Sequence, residues 1–210
     1  MTTPTTTAND AVVELTSYEL MTLFHVATTP EAQRTREAMR LPALEDGSPL
    51  LDAALASLVL RGLADDQDGR LVPAGALVGL VNVLGTATSW VEVVVTTEHV
   101  RQGALVVVSP HGHALLEARP SRVWQAVPLE AQVPVLATAA GYVAAGFESR
   151  PERPFGGVVT LIDGAGSRTT GVRVDPDGAW SVVRGSGETL SEPARVEPDP
   201  TFAFLAEAAA

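Results

Sequence analysis

Histidine is the side chain of this 210-residue sequence best suited to metal binding or proton transfer near neutral pH, and the chain carries four of them. Two form the H-x-H pair His111 and His113, with His99 as a more distant third candidate ligand. Residues two apart on a strand lie on one face, so the pair has the spacing of metal ligands. However, Pro110 and Gly112 indicate that His111 lies in a turn, and no nearby cluster of Asp or Glu completes a ligand set. We therefore predict no metal site, and a turn with two solvated imidazoles.

Other side chains and motifs that commonly carry catalysis are missing. All fourteen basic residues are arginine, and the chain has neither lysine nor cysteine. Without cysteine it has no disulfide framework, thiol nucleophile or thiolate metal site. The glycine-rich stretches at 156–157 and 164–166 precede no predicted helix, and without lysine they cannot complete a P-loop. There is also no G-x-S-x-G nucleophile elbow. We predict no catalytic or cofactor-binding residues and a protein that is not an enzyme, with an enzyme of unrecognised motif as an open alternative.

The charge balance argues against a nucleic-acid partner. Fourteen arginines stand against 25 acidic residues, which gives a formal net charge of −11 at pH 7. Nucleic-acid phosphates require a positive surface, which this composition does not favour. We therefore predict that the protein binds no nucleic acid.

No segment has the pattern of a membrane span or a targeting peptide. The uncharged run from Leu71 to Val91 is long enough to be considered, but a proline, three glycines and an asparagine interrupt it. The threonine-rich start, residues 1–9, has neither charge nor an apolar segment. We predict a cytoplasmic protein with no membrane partner, in which residues 1–11 are a disordered tail.

The first ninety residues have the start signals and apolar spacing of helices. Thr16 and Glu19 have the spacing of a capping box, in which each residue bonds the backbone of the other. Ser48-Pro49 predicts the start of a later helix, and Arg61-Gly62-Leu63 predicts its end. The apolar stripe of that helix consists of Leu51, Leu55, Leu58 and Val59. A short strand follows, and Pro73 predicts the start of a fourth helix.

The segment from Leu51 to Pro73 resembles the recognition helix and wing of winged-helix regulators. A DNA reader would need cations here, but the stretch from Pro49 to Pro73 has only Arg61 and Arg70. Its acidic residues are Asp52, Asp65, Asp66 and Asp68. We therefore favour a winged-helix-like packing without DNA binding, and keep a winged-helix regulator with a ligand-sensing β domain as the alternative function.

From residue 90 the apolar period changes from helical to the alternation of strands. The turn Pro110-His111-Gly112 aligns with Pro176-Asp177-Gly178, 66 residues later, and each unit leads from a strand into an alanine-rich helix. We predict an α+β fold in which N-terminal helices precede two pseudo-repeated units of antiparallel sheet plus helix. The predicted domains are 12–147, holding the helical region and first unit, and 155–210, holding the second unit, packed together as one domain.

This arrangement resembles the EspG family, cytosolic chaperones of type VII (ESX) secretion systems in actinobacteria. The family begins with a short strand and a helix carrying an "LT…EL" pattern, as in Leu15 to Leu20. A helix ending in arginine-glycine-leucine follows, as at Arg61 to Leu63, and then a helix that runs into an acidic strand, as in Leu77 to Val93. The resemblance covers most of Val12 to Ala210 in order and pattern.

The resemblance implies that the protein binds a helical secreted substrate of PE/PPE or WXG type and keeps it soluble. Family members contact the substrate through the loop between the second and third strands and through helices near the C-terminal end. That loop corresponds here to residues 97–102, with Val100 as an apolar anchor and His99 and Arg101 as its polar rim. An ordinary solvated hairpin loop is the open alternative for these residues.

Overall fold

The computed structural model describes residues 12–68, 70–150, 152–187 and 189–209, so the tail predicted at 1–11 lies outside the described residues. The described helices are α1 (Ser17–Val26), α2 (Pro30–Ala38), α3 (Pro49–Leu60), α4 (Ala76–Gly85), α5 (Val135–Ser149) and α6 (Ala203–Ala209). The described strands are β1 (Val13–Thr16), β2 (Ala64–Gln67), β3 (Arg70–Pro73), β4 (Ser89–Thr96), β5 (Arg101–Ser109), β6 (Gly112–Arg119), β7 (Val123–Leu129), β8 (Phe155–Asp163), β9 (Gly166–Val174), β10 (Trp180–Ser186), β11 (Thr189–Leu190) and β12 (Ala194–Val196).

The chain divides into two compact units that interleave along the sequence. The first unit comprises the described residues up to Ala87 together with Ser109–Ala131. The second comprises Thr88–Val108 and the described residues from Gln132 onward. The two units differ in their bounds from the domains predicted from the sequence, 12–147 and 155–210, which stay a prediction.

The first unit packs helices on antiparallel strands in the order β1, β7, β6. Strands β2 and β3 form a separate antiparallel hairpin. Helix α1 packs on α3, and α2 packs on α4. The largest side chains of the core are fully buried, and they are Leu15, Leu20, Phe24, Leu58, Leu77 and Leu116.

The predicted start of the fourth helix at Pro73 is wrong. Pro73 is the last residue of β3 and lies opposite Ala64 in the hairpin. The Ala74 N–H donates to the carbonyl oxygen of Leu63 at 2.8 Å, which extends the hairpin pairing by one more residue. Gly75 then takes a φ of +56°, a conformation that favours glycine, and α4 begins after it.

A buried carboxylate joins α1 to α3. The predicted capping box is confirmed: the Glu19 N–H donates to Thr16 Oγ1 at 3.1 Å, and the Thr16 N–H donates to Glu19 Oε2 at 2.7 Å. From α3, Ser57 Oγ donates to Glu19 Oε1 at 2.8 Å. Arg61 Nη1 lies 2.8 Å from both Glu19 oxygens, and Arg61 Nη2 donates to the Glu14 carbonyl oxygen at 2.7 Å. We call these groups the Glu19 network.

The Glu19 network keeps its carboxylate ionised. Burial by itself raises the pKa of Glu19, but hydrogen bonds from the Thr16 backbone, Ser57 and Arg61 outweigh burial and hold the pKa below the ordinary value of 4.5. A carboxyl group with a lowered folded pKa stabilises the protein above its unfolded pKa, and that stabilisation is lost as the pH falls through the folded value.

Replacing Glu19 with Gln should destabilise the protein by about 1–3 kcal/mol at pH 7, because the buried amide loses the charge-assisted hydrogen bonds that Thr16, Ser57 and Arg61 donate to the carboxylate. Urea denaturation measures this difference, which should shrink as the pH falls below about 4.5. The control is Glu37→Gln, since Glu37 is exposed and its oxygen lies 3.8 Å from Arg36. If Glu19→Gln lowers the free energy of unfolding by no more than the control does, the Glu19 network does not stabilise the protein.

The second unit covers one sheet face with two helices. Its strands lie in the order β5, β4, β8, β9, β10, and both β11 and β12 pair with β10. Helix α5 packs on β4 and β8, while α6 packs on α5, β8 and β9. An aromatic cluster fills the space beneath these helices, with ring centroids 5.1–6.1 Å apart. Its members are Phe147, Phe155, Trp180 and Phe202.

Gly157 lets α5 approach the sheet closely. A Cβ atom at this position would lie 2.4 Å from Cγ1 of Val143 on α5 and 3.3 Å from Cγ1 of Val172 on β9. Both valines are buried, so neither side chain has free space into which it could turn.

Gly157→Ala should therefore destabilise the protein by about 1–3 kcal/mol through overpacking. Val143→Ala in the same chain should recover part of that loss, which a double-mutant cycle by thermal unfolding measures. Gly141→Ala is the control, because that exposed position in α5 has nothing within 4 Å of an added Cβ. Equal effects at Gly157 and Gly141 would contradict the close packing of α5.

The α+β fold class is confirmed at the level of antiparallel strands and six helices among the described residues. The winged-helix-like character of α3, β2 and β3 and the pseudo-repeat stay predictions. Within the described ranges, no helix is both long and apolar enough to cross a membrane.

Candidate partner-binding site

The predicted binding loop is a tight turn of four residues, 97–100, between β4 and β5. The Thr97 N–H donates to the Val100 carbonyl oxygen at 2.8 Å, and the Val100 N–H donates to Thr97 Oγ1 at 3.2 Å. Arg101 and Gln102 already belong to β5, where they lie opposite Thr96 and Val95. The loop predicted over 97–102 was therefore two residues too long. We call residues 97–100 the β4–β5 turn.

The three residues proposed to bind a partner are all exposed. His99 and Val100 lie in the β4–β5 turn, and Arg101 is the first residue of β5. Val100 leaves 40% of its surface exposed although it is apolar. The structure brings an apolar side chain and two polar neighbours together at the end of this hairpin, and their role in binding stays a prediction.

A row of arginines crosses the same end of the second unit. Thr96 lies opposite Arg101 on one side and Gly156 on the other. Gly156 lies opposite Arg173. Directly opposed residues of antiparallel strands share one sheet face, so Arg101 and Arg173 lie on the same face as Thr96. Ser181 continues the row opposite Arg173, and Arg195 lies opposite Ser181. We call Arg101, Arg173 and Arg195 the arginine row.

The arginine row places three guanidinium groups on one sheet face, although the chain as a whole is acidic. All three side chains belong to exposed residues. Arg173 Nε donates to Asp175 Oδ1 at 2.6 Å, so one of the three carries a neighbouring counter-charge. Because these residues come from three strands far apart in the sequence, spacing along the chain could not reveal the row.

A cleft of about 230 Å³ opens beside the turn. It is lined by Thr96 to Glu98, by Pro154 to Gly156 and by Arg173. The cleft thus combines hydroxyl groups, one carboxylate and one guanidinium with the apolar ring of a proline. This mixture is typical of the polar rim of a protein interface.

Two further arginines fix the segment that borders the cleft. The Arg150 guanidinium donates to Gln102 Oε1 on β5. Arg153 donates to the carbonyl oxygens of Arg150 and Glu152 at 3.1 and 2.9 Å. Its guanidinium carbon also lies 4.1 Å from the ring centroid of Phe147, a cation–π contact with the aromatic cluster. These contacts join the residues that follow α5 to β5 and to the aromatic cluster.

The histidine pair lies in the first unit and only partly matches the prediction. His111 is exposed in the turn between β5 and β6, as predicted. The prediction of a solvated imidazole is wrong for His113, which is 8% exposed on β6 and has Nε2 2.9 Å from the Ala131 carbonyl oxygen. A carbonyl oxygen only accepts, so Nε2 carries the proton. In the part of the chain that the structure describes, no three His, Asp or Glu side chains are grouped as metal ligands.

The comparisons with known proteins identify the fold. No protein-family model matches the sequence, and no curated protein matches it either. Among solved structures, the chain is similar to the Mycobacterium tuberculosis type VII secretion system chaperone EspG5, determined in complex with a PE25–PPE41 dimer. The TM-score is 0.62, and the match covers 94% of this chain and 95% of that chain. This chain has an EspG-like fold. The sequence identity is 10%, so the similarity concerns the fold and not individual residues.

Proposed function

We propose that this protein is a chaperone-like binder of a helical secreted protein, of PE/PPE or WXG type, in a type VII secretion system. The observation that carries the proposal is the EspG-like fold, which extends over nearly the whole of both chains. EspG5 is a type VII secretion chaperone whose structure contains a PE25–PPE41 dimer. A shared fold alone does not fix a function, so the surface chemistry has to suit the task.

The β4–β5 turn has the features that such a task requires. Protein interfaces concentrate their binding energy in a few apolar anchors surrounded by polar groups that exclude water. Val100 supplies an exposed apolar side chain at the tip of a hairpin, and His99 and Arg101 flank it. A four-residue turn closed by two hydrogen bonds loses little conformational freedom on binding, which favours affinity.

The arginine row suggests the charge of the surface that this end of the protein binds. The chain as a whole is acidic, so an acidic partner would be repelled elsewhere and attracted at Arg101, Arg173 and Arg195. We propose that carboxylates near the contacting end of the helical partner face this row. Such complementarity sets the orientation of a complex and its association rate more than its affinity.

The proposal includes a cytoplasmic location and a function without catalysis. A secretion chaperone binds its substrate before export, and binding requires no reacting group. The alternative function, a winged-helix regulator, predicts salt-dependent binding to promoter DNA. In that case α3 and the β2–β3 hairpin would bring several exposed acidic residues close to the DNA phosphates, which repel them.

Val100→Asp should weaken binding to a purified helical pair of PE/PPE or WXG type from the same secretion locus by at least about tenfold, because it places a charge at the apolar anchor. Arg101→Glu should slow association and reduce its dependence on salt. Titration calorimetry and stopped-flow fluorescence measure the two effects. The control is Leu190→Asp, since Leu190 is 55% exposed on β11, which pairs with the opposite end of β10 from Ser181.

Two results would count against the proposal in different ways. No complex with any helical pair of the locus would contradict the function. A complex of unchanged affinity in Val100→Asp would leave the function standing and contradict the assignment of the β4–β5 turn.

A further inference from the structure

Helix α3 carries more apolar residues than it buries. Ala54 and Leu58 are its only buried residues. On the remaining surface, Leu50, Val59 and Leu60 are 45%, 38% and 87% exposed. The stripe predicted from the sequence is therefore divided, with Leu58 in the core and Val59 facing outward. Exposed apolar side chains grouped on one element mark an interaction surface more often than scattered ones do.

Val59 and Leu60 line a groove between α3 and the β2–β3 hairpin. The groove has a volume of about 480 Å³, and its walls are Leu55, Ala56, Val59, Leu60, Asp66 and Leu71. Leu55 and Val59 are four residues apart, as are Ala56 and Leu60, so two rows of apolar side chains run side by side along the helix. We call this feature the α3 groove.

The charges around the α3 groove are predominantly negative. Asp66 lines the groove, and Asp52 lies one turn before Ala56 on α3. Asp65, which precedes Asp66 on β2, belongs to the other face of the hairpin, and Asp68 lies in its turn. The cations nearby are Arg70, at the start of β3, and Arg61, whose guanidinium is held by Glu19 and the Glu14 carbonyl oxygen.

This charge distribution selects one kind of occupant. A second copy of the chain would bring the same carboxylates together across a two-fold axis, where they repel. Anionic lipid and nucleic acid would be repelled for the same reason. A helix with an apolar stripe flanked by Lys or Arg can bury the stripe in the groove and pair its cations with the carboxylates at the rim.

We propose that the α3 groove binds an amphipathic, positively charged helix of another protein. The site lies in the first unit, whereas the β4–β5 turn lies in the second. It goes beyond the proposed function and does not depend on it, because it rests on the apolar and charged residues of α3 and the hairpin alone.

Three synthetic helical peptides of about 18 residues, equivalent to five turns, serve as probes. The first has a leucine stripe flanked by lysine, the second has the same stripe flanked by glutamate, and the third has the first composition in scrambled order. Fluorescence anisotropy measures binding to the full chain at low salt. The lysine-flanked peptide should bind at least about tenfold more tightly than either of the others. Equal binding of the scrambled peptide would overturn the proposal, because it would reflect net charge only.

Variants locate the binding. Leu60→Asp should weaken binding of the lysine-flanked peptide by at least about tenfold. It should leave the fold intact because Leu60 is 87% exposed, and circular dichroism checks this. The control Val78→Asp changes another exposed apolar residue of the first unit, on α4, and should leave binding unchanged.

A second pair of variants tests the charged rim. Asp52→Asn combined with Asp66→Asn should weaken binding and flatten its salt dependence, while Asp177→Asn in the second unit should do neither. Unchanged affinity in Leu60→Asp would overturn the proposal. A wild-type dimer in sedimentation velocity that Leu60→Asp dissociates would also overturn it, because the occupant would then be a second copy.

Discussion

The buried carboxylate of Glu19 joins the consecutive elements β1 and α1 to α3, which lies much later in the sequence. It closes the start of α1 through Thr16, accepts from Ser57 in the last turns of α3, and pairs with Arg61, which in turn holds the Glu14 carbonyl oxygen of β1. An ionised carboxylate without these donors would cost several kcal/mol to bury. The orientation of α3 follows from this network: its last turn is held at Ser57 and Arg61, Leu58 faces the core, and the α3 groove faces outward.

The second unit depends on close packing beneath its sheet. Gly157 admits α5 to the sheet, and the aromatic cluster supports the segment that carries Arg153 and the cleft. Since the strands are held in register from beneath, their other face can present the arginine row at fixed spacing. The proposed binding surface thus lies on a closely packed sheet of fixed register, which suits recognition of a preformed helical partner.

The sequence allowed prediction of features that depend on neighbours along the chain. The capping box of Thr16 and Glu19, the helix start at Pro49 and the turn at His111 all follow local rules. Features that depend on tertiary contacts were missed. His113 is buried on β6, against which α4 packs, and the arginine row requires the register of strands that are distant in sequence. The outward apolar face of α3 was not predicted either, since an apolar stripe does not show which of its residues are buried in the core.

The central claim is that the end of the second unit holding the β4–β5 turn binds a helical secreted partner. Amide hydrogen–deuterium exchange on the full chain, with and without a purified helical pair of PE/PPE or WXG type, tests this claim most directly. We predict that binding slows exchange in the β4–β5 turn and the first residues of β5, because the partner excludes water there. Exchange that is unchanged in these residues while it slows elsewhere in the chain would contradict the claim.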